Sequence, residues 1–182
     1  MESLTSTREA VQARTAELAA ARWYAVYTWA RHEKIVAQQM EQRRIRGFLP
    51  LYREIHRWKD RHKEVQMALF PSYVFVQLVL QERLRVLEIP GVVSIVSAGG
   101  KPVPLADLEI ESLRRGIEGG VSMEPHPYLQ AGRRVRVRSG AMAGLEGILV
   151  RRKEGSRLVV SLEILMRAVA VEIDEADVAP CR

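Results

Sequence analysis

Hydrophobic and polar residues alternate in distinct ways along this chain, and the changes mark its elements. After a polar leader over residues 1–21, the run Trp23-Tyr24-Ala25-Val26-Tyr27-Thr28-Trp29 is aromatic and β-branched, which predicts a strand. From His32 to Arg46 the period lengthens. Ile35, Val36 and Met40 form a short apolar stripe, Arg43, Arg44 and Arg46 fall in the last turn, and Gly47 follows as a stop signal. Cations suit the carbonyl end of a helix, so a helix is predicted here. Phe48 to Arg61 is broken by Pro50 and rich in charge, and it reads as a strand leading into a basic, solvent-facing loop. In Leu69 to Val79, Tyr73, Phe75, Gln77 and Val79 share one face while Val74, Val76 and Leu78 share the other. Both faces are mainly apolar, so this is a central strand, with Phe75 and Val76 in the core and Pro71 at its start or in the preceding turn.

Further on, Gln81 to Glu88 suits a short helix stopped by Pro90-Gly91, and Val92 to Val96 suits a strand closed by Gly99-Gly100. Ala106 to Glu118 has helical spacing through Leu108, Ile110, Leu113 and Ile117. Residues 22–118 are therefore expected to form one mixed α/β domain. Residues 119–130 hold two glycines, Pro125 and Pro127, and read as a linker. Residues 131–182 contain short apolar runs separated by glycines, which suits a small β-barrel that hides its own edges.

Composition narrows the function classes. The chain has 182 residues, 47% hydrophobic and 27% charged, too apolar for global disorder. Its formal charge of +6 is compatible with an anionic partner. Cys181 is the sole cysteine, so no internal disulfide can form. No apolar run approaches the roughly 20 residues of a membrane helix and no secretory signal is visible, so a soluble, monomeric, cytoplasmic protein is expected. His32, His56, His62 and His126 are scattered, without nucleophile motifs or metal-ligand spacing. The expectation is no enzyme activity, no catalytic residue, no metal and no cofactor.

The segment GRRVRVRSGAMAGLEG, residues 132–147, is the strongest local signal. Val135 and Val137 alternate with arginines, and Gly140, Gly144 and Gly147 mark places for positive φ or close backbone approach. A phosphate-binding loop is disfavoured, because no Gly-Lys-Ser/Thr follows and the segment leads into a strand. The run resembles a KOW motif. Upstream, WYAVYTWARHEK, LFPSYVFV, and IPGVVSIV with GGKPVPL resemble, in order and spacing, the signature segments of the NusG N-terminal domain. The resemblance covers about residues 22 to 179 and looks closest to specialised UpxY-like antitermination paralogues.

That resemblance implies an α+β protein: a NusG-type N-terminal α/β sandwich domain followed by a small SH3-like β-barrel, the KOW domain, over 131–182. It implies a transcription elongation or antitermination factor that binds bacterial RNA polymerase across the clamp and suppresses pausing or termination, at specific operons. Position by position, the polymerase-binding surface would include Phe70, Pro71 and Tyr73, with Trp23 and Tyr24 close by. Aromatics beside a proline turn are suited to apolar contact with a coiled coil. A glycine is usual where Ser72 stands, and proline is frequent where Ala141 stands.

Between Arg31 and Lys63 there are ten Lys or Arg and four Asp or Glu, a balance that attracts phosphate. The family resemblance implies contact with the exposed non-template DNA strand through Gln39, Gln42 and Arg43, with Arg44 and Arg46 nearby. Trp29 is a candidate for stacking on an unpaired base. In the barrel, Ile164, Leu165 and Met166 are the implied docking surface for a ribosomal protein, a Nus factor or Rho. Two other readings stay open: a general NusG coupled to Rho or the ribosome, and a polymerase-independent nucleic-acid-binding or ribosomal accessory module.

Overall fold

The computed structural model describes residues 20–58, 61–127, 132–152, 155–162 and 165–181. The first strand, β1 (Arg22–Thr28), turns Trp23 and Ala25 to one face and Tyr24 and Val26 to the other, all buried. Helix α1 (Glu33–Gln42) buries Val36 and Met40 against the Tyr24 face. It ends four residues earlier than its sequence suggests. Arg44 adopts φ 55°, Arg44 N–H donates to the Glu41 carbonyl (2.9 Å) and Ile45 N–H to the Met40 carbonyl (2.8 Å). This is a Schellman stop, with Met40 and Ile45 packed in the same core. Arg46 and Gly47 are thereby released from the helix into β2 (Arg46–Phe48), which pairs with the strand over Tyr73–Leu78.

Next comes a two-stranded hairpin of β3 (Leu51–Trp58) and β4 (Arg61–Ala68), in register from Leu51↔Ala68 to Trp58↔Arg61. The stretch expected to become a loop after one strand is thus half of a ladder. Strand β5 (Tyr73–Leu78) follows the Pro71 turn, and Phe75 and Val76 are both fully buried. A 3₁₀ turn (Leu80–Glu82) leads into α2 (Arg83–Leu87) and β6 (Val92–Ile95). The small hairpin β7 (Ser97–Ala98) with β8 (Lys101–Pro102) precedes β9 (Pro104–Leu105) and α3 (Asp107–Glu118). The first sheet has the order β2-β5-β1-β6, all antiparallel, with β9 also on β1. Strand β5 sits inside it with both faces covered, as its two apolar faces require.

Beyond α3 come β10 (Met123–His126), β11 (Arg133–Val137), β12 (Glu146–Arg152), β13 (Gly155–Leu162), β14 (Arg167–Ile173), a 3₁₀ turn (Glu175–Asp177) and β15 (Val178–Pro180). They form an antiparallel sheet in the order β10-β14-β13-β12-β11-β15. Its outermost strands, β10 and β15, are not paired with each other among the described residues. Strand β10 lies within the proline-rich 119–130 segment, so part of the expected linker is a ladder strand on β14. The whole is an α+β chain with a β-rich C-terminal unit.

Two cores flank the first sheet. One lies under α1 and α2, around Val26, Val74 and Val76. The other lies on the Trp23–Phe75 face, takes in Ile110 and Leu113 of α3, and runs without a break into Met123, Met142, Leu145, Leu158 and Val169 of the C-terminal sheet. The two halves therefore share one apolar interior.

Candidate functional site

The site grows from the Pro71-Ser72 turn. Ser72 has φ 67°, a conformation usually left to glycine. Three bonds hold it there. Ser72 N–H donates to Glu33 Oε1 (2.6 Å), Thr28 N–H donates to the Ser72 carbonyl (2.9 Å), and Tyr73 N–H donates to the Phe70 carbonyl (3.1 Å). Glu33 is buried at the first turn of α1, so one carboxylate fastens the helix start to the strand turn.

Beside this turn, Tyr27 and Tyr73 are register partners on β1 and β5, with ring centroids 5.4 Å apart. Tyr27 is 42% exposed and Tyr73 half-buried. Behind them the same face continues inward. Phe70 meets Phe75 edge-on at 5.4 Å, Phe48 lies 6.2 Å from Phe75, and Trp23 meets Phe48 at 6.5 Å.

The five residues assigned to the polymerase surface therefore separate. Pro71 is exposed and Tyr73 half-buried at the surface. Phe70 and Trp23 are each only 1% exposed, beneath it and within the core shared with the C-terminal sheet. Tyr24 points through the opposite face into the α1 core. Sequence reasoning missed Tyr27 and Glu33. Tyr27 has the strand parity of Trp23 and Ala25, which is a usable signal, whereas nothing local pairs Glu33 with a turn 39 residues away.

The residues assigned to nucleic acid also divide. Trp29 is 59% exposed, with the His32 ring edge-on at 5.4 Å, near the start of α1. Gln39, Gln42, Arg43 and Arg44 gather at the far end of that helix. Gln39 Nε2 donates to the Pro90 carbonyl (3.4 Å), and Arg43 and Arg85 exchange guanidinium-to-carbonyl bonds at 3.5 and 3.1 Å. Arg46 is not with them. Its guanidinium lies over the Trp23 ring at 5.6 Å and reaches Glu111 at 3.4 Å, on the other face of the sheet. One residue of strand in place of helix reverses its direction.

In the glycine-rich segment, Gly140 and Gly144 have φ 82° and 88°, as positive-φ turns require. Gly147 is a residue of β12, with no positive φ. It is required by close approach, since a Cβ there would lie 2.6 Å from the Val159 carbonyl oxygen. The segment's Met142 and Leu145 are buried, and Met142 Sδ lies against Gly116 of α3. At the β13–β14 connection Leu165 is buried, while Met166 is 61% exposed with φ 50°. Ile164 lies outside the described residues.

Two electrostatic perturbations accompany the fold. On β12, the Glu146 carboxyl is held below its ordinary range by the hydrogen bond from Arg136, whose own pKa is raised. Tyr52 is pushed up by burial, then by its bond to Glu54 (3.1 Å). Among the described residues no cluster of His, Cys, Asp or Glu could hold a metal ion, and no helix is long and apolar enough to cross a membrane.

A protein-family model described as "Transcription termination factor nusG" matches residues 21–114, just over half of the chain. The chain is 27% identical over 173 residues to the transcription termination/antitermination protein NusG of Pseudomonas aeruginosa, spanning 87% of this chain and 98% of that protein. It is 28% identical over 166 residues to the protein of the same name from Lactococcus lactis, spanning 84% and 89%. Among solved structures, "Domain interaction in Thermotoga maritima NusG" superposes with a TM-score of 0.58 at 22% identity, over 91% of this chain and 99% of that one, a likeness of fold.

Proposed function

The chain belongs to the NusG family, and from that premise we propose that it is a non-catalytic transcription elongation factor that binds RNA polymerase across the clamp and suppresses pausing or termination. The observation that carries the contact is the Tyr27–Tyr73 pair beside the Pro71-Ser72 turn. It is an aromatic surface on two central strands, fixed from behind by Glu33. Paired aromatics on a rigid base lose little entropy on docking and make effective anchors. Phe70 and Trp23 serve beneath it as its support.

Trp29, with its free face, and Gln39, Gln42, Arg43 and Arg44 at the other end of α1 support contact with the non-template strand. Action at specific operons, as in the specialised paralogues, is read from Gln39, Gln42 and Arg43, whose amide and guanidinium groups suit base edges. The C-terminal unit is read as the SH3-like KOW module. Met166 is the exposed point at which a ribosomal protein, a Nus factor or Rho would engage it.

The test is co-elution with core polymerase on an elongation scaffold with an exposed non-template strand. Tyr27→Ala/Tyr73→Ala is expected to weaken binding about tenfold or more, as loss of hot-spot aromatics does. A folded double variant that binds unchanged would remove the contact face. Binding that depends on the strand's sequence supports operon specificity, and binding indifferent to it supports a general factor.

A further inference from the structure

The methionines of the described residues fall into three settings. Met67 and Met166 are exposed, Met40 is enclosed between α1 and the first sheet, and Met123 and Met142 are buried where the two halves meet. Gly116 brings that last pair together. It sits inside α3, where glycine is a poor helix former, and its missing side chain leaves a notch in the helix surface. A Cβ there would collide with Met123 Cε and stand 3.1 Å from Met142 Sδ. Met123 belongs to β10 and Met142 to the glycine-rich loop between β11 and β12. Two thioether side chains of the C-terminal unit therefore seat on one helix of the first domain.

The pair is buried but not sealed. Met123 lines an open groove of about 650 Å³, together with the apolar side chains of Leu49, Leu51, Tyr52, Ile117 and Val121. A small uncharged solute can follow that groove from solvent to the thioether, whereas Met40 is 0% exposed. What the seat cannot accept is a polar atom. Both methionines lie in a continuous apolar core with Leu113, Leu145 and Leu158. An oxygen placed on either sulfur would be an acceptor without a donor, because the N–H groups in the body of α3 are already used in its own ladder.

We infer that Met123 and Met142 are a modification site for small hydroperoxides, and that oxidation there parts the C-terminal unit from α3. A thioether lone pair attacks the terminal peroxide oxygen, and the S–O bond forms as the O–O bond breaks. The sulfur is oxidised by two electrons and the peroxide is reduced by the same two. The terminal oxygen's proton passes to the departing oxygen, which leaves as water or an alcohol. The product sulfoxide is polar and is better accommodated in water than against Gly116. Sulfoxide reductases return the thioether, so the modification is reversible. Neither the Tyr27–Tyr73 face nor α1 takes part, and the inference stands apart from the polymerase reading.

The test is peptide mass mapping of the full chain during exposure to hydrogen peroxide, with calorimetry and amide hydrogen exchange on the same samples. A Met67→Leu/Met166→Leu background removes the two exposed thioethers. Met123 should gain oxygen at least about tenfold faster than Met40, with Met142 following as the halves part. The unfolding midpoint should fall by about 5 °C or more in step with that modification. Exchange should rise over residues 113–117 and 140–145 while Tyr73–Leu78 stays protected. Methionine sulfoxide reductases should restore both. Adding Met123→Leu/Met142→Leu conserves side-chain volume and should give a midpoint that peroxide does not move. Oxidation of Met123 no faster than that of Met40 would overturn the inference. So would a fully modified Met123 with midpoint and exchange unchanged, or an equal fall in the variant that has leucine at both positions. The first two results need no substitution at the junction, so the outcome does not depend on how well that variant folds.

Discussion

Ser72 is a non-glycine residue in the left-handed region, held by Glu33 and Thr28. Such a conformation costs an L-residue about 1–2 kcal/mol, so Ser72→Gly is expected to raise stability by up to about 1 kcal/mol in denaturant titration once glycine's extra chain entropy is deducted. Glu33→Ala should have the opposite sign, costing about 1–3 kcal/mol, because it leaves the Ser72 N–H in a part-buried site without its acceptor. Gly147→Ala forces a Cβ against the Val159 carbonyl, where backbone must move, and should cost about 1–3 kcal/mol. Glu146 supplies the pH dependence. Its folded-state pKa is lowered by Arg136, so the pair's contribution is present above the unfolded carboxylate value and is lost as pH falls through the lowered folded one. Glu146→Gln should therefore flatten the acid side of the stability profile and leave neutral pH little changed, as this pair is solvent-exposed.

Elements in this chain are stopped and joined by contacts more than by propensity. Helix α1 ends where Ile45 reaches the core, and Arg44 supplies the left-handed residue that lets it do so. Helix α3 ends the same way, with Gly120 at φ 73° and Val121 N–H donating to the Gly116 carbonyl (2.9 Å). Strand β10 is held on the edge of its sheet partly by charge. Arg157 of β13 lies 19% exposed between Glu124 of β10 and Glu172 of β14, paired with both. Glu124→Lys should place two cations together and loosen that edge. Amide hydrogen exchange is expected to rise over Met123–His126 while β13 stays protected, and equal protection in variant and parent would show that the ladder alone holds β10.

At the scale of the molecule, the apolar interior passes from the first sheet through α3 into the C-terminal sheet. Residues that face each other across one core unfold together, so a single calorimetric transition is expected. Met142, buried against Gly116, lies where the halves meet. Met142→Ala should cost about 2–4 kcal/mol and lower that one transition as a unit. A split into two transitions, with the first domain's unmoved, would mean that the halves are energetically independent. The shared core also explains why Trp23 and Phe70 are buried although Tyr27, on the same side of the sheet, is exposed.

Features with a local period are legible in the amino-acid sequence by itself. Strand β5 announces itself by two apolar faces, and Ala106 to Glu118 by four-residue spacing. The turns at Gly140 and Gly144 are marked by residues that alone tolerate positive φ cheaply, and the segments that resemble NusG carry the family. The β3–β4 hairpin is only half legible, because much of the ribbon is charged and no continuous apolar face gives it a period. Strand β10 is hidden by Pro125, which an edge strand tolerates. Most of all, which aromatic is surface and which is core cannot be read along the chain. Alternation says that Trp23, Ala25 and Tyr27 share a face, but that face is buried in a core that takes in Ile110 and Leu113 of α3 and is continuous with Val169 and Val171, and burial is a property of that packing rather than of the strand.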